Sequence, residues 1–194
     1  MNKKALLITL ILLLVVLGVA GVLYPRLSAS MEPQQLATTP PATTEATQPA
    51  TEATKPEPVR VPDFTVTDWD GNEVQFSDYV GKPIVLNFWA HWCGPCQMEM
   101  PEFNAVYEEL GGEVTFLMVH VGADVESGKE KVTEGGYSFP VVFDTDSMAA
   151  AIYGVNAFPT SFFIDKDGNL AAYYVGIMAR DLLQQGIDLI YTAQ

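Results

Sequence analysis

Residues 84–96 read IVLNFWAHWCGPC. Ile84 to Ala90 form a nearly continuous apolar run of strand length, the pattern of a strand covered on both faces. Five residues later the text turns helical: Pro95 suits a first helical turn and Gly111-Gly112 supply a stop, which predicts a helix over Pro95 to Leu110. Outward from this strand–loop–helix the alternation continues. Val114 to Val121 reads as a strand, Asp124 to Gly135 as a polar helix, Phe139 to Phe143 as a strand and Ser147 to Tyr153 as a short helix. Ser161 to Ile164 and Leu170 to Val175 are strands joined by Asp165-Lys166-Asp167-Gly168, whose Asp-Gly pair suits a tight hairpin, and Ala179 to Tyr191 is an amphipathic helix. The region 61–194 is therefore expected to be one α/β domain, a central mixed sheet flanked by helices, with no long-period repeat.

Cys93 and Cys96 are the only cysteines in the chain. As a structural clasp they close almost no loop, so they gain little unfolded-state entropy. As a zinc claw they would need His91 and His120, the only histidines; His91 stands two residues from Cys93, ill placed for the same tetrahedron, and His120 ends another strand. The third reading is an exchanging dithiol. Cys93 lies at the start of a helix, where unpaired N–H groups and aligned peptide dipoles favour negative charge and lower a thiol pKa. A fall from about 8.5 to about 7 raises the thiolate fraction at pH 7 roughly 15-fold, and the weaker nucleophile takes back about 5-fold. Much of the benefit therefore lies in Cys93 as a leaving group.

The N-terminal third has a different character. Residues 5–24 are twenty consecutive residues with no charge, about 30 Å as a helix, the thickness of a bilayer core. Lys3 and Lys4 in the stub 1–4 orient the span with the rest of the chain outside the cytoplasm. Ser28-Ala29-Ser30 is the competing signal-peptidase site, although the apolar run exceeds a signal core. Residues 25–60 are rich in Pro, Thr, Ala and Glu and carry too little apolar surface to order themselves, as expected of a linker. The expectation is a single-pass protein of the cell membrane whose domain works where disulfides persist. The chain carries 24 acidic against 10 basic residues, all but four of the acidic ones beyond the linker, so a nucleic acid is a poor partner.

FWAHWCGPC resembles the active-site stretch of thioredoxins. The resemblance runs from about Val61 to the C-terminus and rests on Trp92-Cys93-Gly94-Pro95-Cys96, on Phe158-Pro159-Thr160 ahead of the strand SFFID, and on the Asp167-Gly168 hairpin. The apolar N-terminus, the segment before Ile84 and an insert over about Gly122 to Val155 are similar to the ResA/TlpA branch, membrane-anchored extracytoplasmic thiol–disulfide oxidoreductases. That resemblance implies a thioredoxin fold with an N-terminal β extension and an αβ insert. It implies Cys93 as exposed nucleophile, Cys96 as buried resolving thiol and Cys93–Cys96 as a redox-active disulfide. Pro159 would be a cis-proline presenting backbone to substrate, with Phe158 and Trp92 shaping the docking surface. The implied substrate is a protein disulfide, in a cytochrome apo-protein, a methionine sulfoxide reductase or a secreted protein at large. A membrane dithiol carrier would donate electrons, with neither cofactor nor metal required.

Two positions qualify the resemblance. Thioredoxin carries a buried aspartate in its central strand where this chain has Asn87, which cannot shuttle a proton. Glu99 is the candidate replacement. Cys96, Met100, Phe103, Val106, Tyr107 and Leu110 form one helical stripe, and at 100° per residue Glu99 falls inside it, unlike Glu102, Glu108 and Glu109. The ResA/TlpA-type proteins have a glutamate at the matching place. Peroxiredoxins place Thr or Ser three residues before the reactive cysteine, where this chain has Ala90, which argues against a peroxide-reducing alternative. The other alternative is a module that delivers a metal or apo-protein. His91 reads either as a charge that modulates Cys93 or as plain surface at a loop edge between Trp89 and Trp92; His120 reads as a strand-end residue, and Met98 and Met100 as packing.

Overall fold

The computed structural model describes residues 58–192. The predicted span 5–24 and most of the linker 25–60 lie outside these residues; among the described residues no helix is long and apolar enough to cross a membrane. The strands are β1 (Thr65–Thr67), β2 (Glu73–Gln75), β3 (Ile84–Trp89), β4 (Thr115–Val121), β5 (Val141–Asp144), β6 (Thr160–Ile164) and β7 (Leu170–Val175). The helices are α1 (Gly94–Glu109), α2 (Val125–Gly135), α3 (Met148–Ile152) and α4 (Arg180–Thr192), with a 3-10 turn at Phe76–Tyr79.

One seven-stranded sheet runs in the order β2-β1-β5-β4-β3-β6-β7. β3, β4 and β5 are mutually parallel, and the outer pairings are antiparallel. Parallel neighbours need crossover connections, which α1 and α2 provide between β3, β4 and β5. β3 has β4 on one side and β6 on the other, and all six of its residues are buried, which accounts for its unbroken apolar text. This is a thioredoxin-like fold. The β1–β2 hairpin extends the sheet beyond β5, and the insert 122–155 supplies α2, β5 and α3.

Successive residues of β3 face opposite sides of the sheet. Val85 and Trp89 join Met100, Phe103 and Val106 of α1 and Leu183 and Ile187 of α4 in one core. Ile84, Leu86 and Phe88 join Phe64, Phe76, Ala149 and Tyr153 in the other. Asn87, in phase with Val85 and Trp89, points with them toward α1. Close approach of α4 to the sheet depends on Gly186, where a Cβ would fall 2.2 Å from the Phe163 ring. Arg180 joins α4 to α1, its Nη1 2.6 Å from Glu102 Oε1 and its Nη2 donating to Glu109.

α1 continues through Pro101, in keeping with the helix expected over Pro95 to Leu110, at the cost of one backbone hydrogen bond. Two local features depart from the sequence reading. The β6–β7 connection is not a two-residue turn: Asp165 and Asn169 pair, Lys166 to Gly168 form a three-residue loop, and Gly168 takes φ +84°. The Asp165 side chain sets this geometry by accepting from the backbone N–H groups of Asp167 and Asn169. Val59 and Arg60, read as linker, are already tied to the sheet, since Leu170 N–H donates to Val59 O and Arg60 bridges Asn169.

Candidate active site

β3 delivers the chain to a tight turn at the C-terminal edge of the sheet, where Cys93 N–H donates to Ala90 O. Cys93 is the N-cap of α1, and its Sγ accepts from Cys96 N–H at 3.1 Å. The sulfur thus takes the place of the oxygen that usually caps a helix, in the region of positive backbone charge. Cys93 and Cys96 are joined as a disulfide. Cys93 is less open than the word nucleophile suggests, 5% exposed against 0% for Cys96. Of the two residues only Cys93 keeps any exposure.

Phe158-Pro159 is a cis peptide bond. β6 starts directly after it, and because Thr160 pairs with Phe88, Pro159 stands at the edge of the sheet from which Cys93 emerges. Trp92 packs edge-on against Phe158, ring centroids 5.8 Å apart, while 67% of Trp92 stays exposed. Met98, taken as packing, is exposed as well: it sits two positions past Cys96, on the side of the helix away from the buried stripe. Trp92 and Phe158 give the rim of the site apolar side chains, suited to a protein surface.

Glu99 is 2% exposed. Its Oε1 accepts from Asn87 Nδ2 and its Oε2 from Met178 N–H, each at 2.9 Å. Burial pushes its pKa up to about 8, against the opposing pull of these two hydrogen bonds. Asn87 Nδ2 also donates to Ser161 Oγ, and Asn87 Oδ1 has no partner among the described residues. Three positions after Cys96 on α1, Glu99 lies on the same helical face as that thiol. A carboxyl group that changes protonation near neutral pH beside a buried sulfur can exchange a proton with it.

The sequence signal for Glu99 was its phase on the helix. Nothing in the text announced Met178, whose backbone N–H reaches Glu99 from 79 residues further along the chain. Nor was the contact between His91 and His120 legible: Nδ1 of the first lies 3.1 Å from Nε2 of the second. His91 is half-buried and His120 fully buried, so neither is the plain surface or strand-end residue expected. Among the described residues, no group of three or more His, Cys, Asp or Glu side chains is arranged to hold a metal.

Comparison with known proteins agrees with this geometry. Residues 59–173 match the model of the AhpC/TSA family. The thiol–disulfide oxidoreductase ResA of Geobacillus thermodenitrificans is 36% identical over 132 residues, covering 66% of this chain and 75% of that protein. ResA of Bacillus thuringiensis is 33% identical over 188 residues, 95% of each chain. A secreted Mycobacterium tuberculosis disulfide oxidoreductase homologous to E. coli DsbE superposes with a TM-score of 0.59 at 29% identity, over 64% of this chain and 94% of that one. With its two cysteines joined at the head of α1, the chain belongs to the AhpC/TSA family and, within it, to the thiol–disulfide oxidoreductases of the ResA type.

Proposed function

We propose that this oxidoreductase is a membrane-tethered reductase of protein disulfides that works outside the cytoplasm. The reduced Cys93 thiolate attacks one sulfur of a substrate disulfide. A Cys93–substrate disulfide forms, and the displaced substrate sulfur leaves as a thiolate that takes a proton from water. Cys96 passes its proton to the Glu99 carboxylate and attacks Cys93, which releases the second substrate sulfur and leaves Cys93–Cys96 oxidised. Two electrons pass to the substrate, and a membrane dithiol carrier returns them to the pair. Trp92 and Phe158 receive the substrate, and the backbone at Pro159 holds it in extended form.

The observation that carries this reading is Glu99, buried on the face of Cys96 and poised near neutral pH. The apolar run 5–24, the lysines before it and the match to Bacillus thuringiensis ResA over 95% of both chains support the tether. The Gly94-Pro95 dipeptide matches reducing thioredoxins and supports the direction. Redox titration of the full-length protein, read by mass spectrometry of alkylated thiols, tests the direction. A potential of about −250 mV or lower is expected, and one near about −120 mV, that of a strong oxidant, refutes it.

A further inference from the structure

The only two histidines in the chain meet at the edge of the sheet that carries Cys93. His91 follows β3 and His120 lies in β4, and the parallel register sets His120 beside Trp89. The two rings stack with centroids 5.3 Å apart, joined Nδ1 to Nε2 at 3.1 Å. On its outer side His91 Nε2 faces Asp124 Oδ2, the N-cap of α2, at 3.9 Å. On its inner side His120 lies edge-on to Trp89 and close to Phe143, and its Nδ1 has no partner among the described residues.

The fold makes room for this ring. A Cβ on Gly128 of α2 would fall 2.9 Å from it, so a buried helix position is left without a side chain. Burying a polar ring with one nitrogen unsatisfied is costly, and a branched aliphatic residue would fill the space without that cost. The arrangement makes physical sense if the ring holds its neighbour.

Proton arithmetic says what it holds. Two neutral imidazoles share two ring hydrogens among four nitrogens, and the short contact uses one hydrogen. Desolvation holds His120 well below the ordinary imidazole range, to about 4, with His91 adding to the effect. A positive charge on the pair therefore finds its counter-charge on the His91 side, where Nε2 faces the Asp124 carboxylate at 3.9 Å. A second proton meets like charge in the adjoining ring.

Other charges around the pair do not compete for that place. Lys129 of α2 stands over the Trp69 and Phe143 rings. Asp144 of β5 accepts from the N–H groups of Ala149 and Ala150, and Glu99 of α1 from Asn87 and Met178. The first turn of α1 carries no acidic side chain. Gln97 of that turn donates to His91 O at 2.6 Å, which fixes the loop two residues before Cys93.

We propose that His91, steadied by His120 and Asp124, is a positioning residue that places a positive charge beside Cys93, so that its thiolate persists to lower pH. The inference rests on the disulfide-exchange reading above and deepens it. His91 transfers no proton to substrate; it acts through charge alone.

The test is the rate of iodoacetamide alkylation at Cys93 in the reduced full-length protein from pH 5 to 9, read by peptide mass spectrometry. Two unit charges about 7 Å apart in water give roughly a threefold Boltzmann factor. At pH 6, H91A should alkylate about threefold more slowly than the wild type, with the ratio falling toward one as the pH rises. H91K should keep the fast acid arm and extend it to alkaline pH. D124N retains an N-cap acceptor and loses only the charge, so it should fall between wild type and H91A at pH 6. Equal pH profiles for wild type, H91A and H91K would overturn the inference, as would an H91K profile that follows H91A. If H91A and wild type agree while C93S abolishes disulfide reduction, this inference fails and the proposed function stands. If C93S retains full reduction, the function itself fails.

Discussion

Replacing Glu99 by glutamine should change how the stability of the oxidised protein depends on pH. The carboxyl group titrates near 8 in the folded chain against 4.5 for the unperturbed group. Between those values the native state holds a proton that the unfolded state has released, so stability falls as pH rises, by about 1.4 kcal/mol per pH unit. The contribution is intact below pH 4.5 and fully lost above pH 8, a total on the order of 5 kcal/mol. The introduced amide can be accommodated: its oxygen accepts from Met178 N–H, and its NH2 meets Asn87 Oδ1 once the Asn87 amide turns over. Urea unfolding of wild type and E99Q at half-unit steps from pH 5 to 9 measures the difference directly, with other titrating groups cancelling in the subtraction. The expected result is a difference that changes by about 1.4 kcal/mol per unit around pH 6 to 7, with E99Q the more stable at pH 9. Parallel stability curves would show that Glu99 keeps an ordinary carboxylate pKa, and its assignment as the proton partner of Cys96 would fail.

C96S should trap a covalent adduct between Cys93 and a disulfide substrate, visible by non-reducing electrophoresis and lost in C93S; rapid release of substrate from C96S would contradict the division of roles. W92A removes a ring that is mostly exposed, so it should raise KM for a protein disulfide severalfold while the unfolding midpoint moves by less than about 0.5 kcal/mol. G186A places a methyl group 2.2 Å from the buried Phe163 ring and should lower unfolding free energy by about 1–3 kcal/mol despite the better helix propensity of alanine.

The parts of this fold that could be read from the text are those governed by neighbours in sequence. The strand Ile84–Trp89 announces itself because both its faces are covered, and α1 because its apolar residues recur at helical spacing and glycines stop it. The same spacing singled out Glu99. What stayed hidden depends on register and on distant chain. That Asn87 would meet Ser161 follows only once β3 is paired with β6, and that His120 would meet His91 only once β3 and β4 are aligned side by side. The three-residue loop at Lys166–Gly168 depends on which amides Asp165 captures, a choice that an Asp-Gly pair alone leaves open.

The link from Met178 N–H to Glu99 has a consequence for the order in which the molecule becomes competent. A growing chain carries both thiols long before the last helix is made, so a reactive dithiol exists while its proton partner is still solvated and ordinary. Docking of the C-terminal segment brings the Met178 N–H that closes over that carboxyl group. Chemistry at the two sulfurs is thereby timed by completion of the polypeptide, and a chain cut short before residue 178 would be a crude thiol and not yet an enzyme.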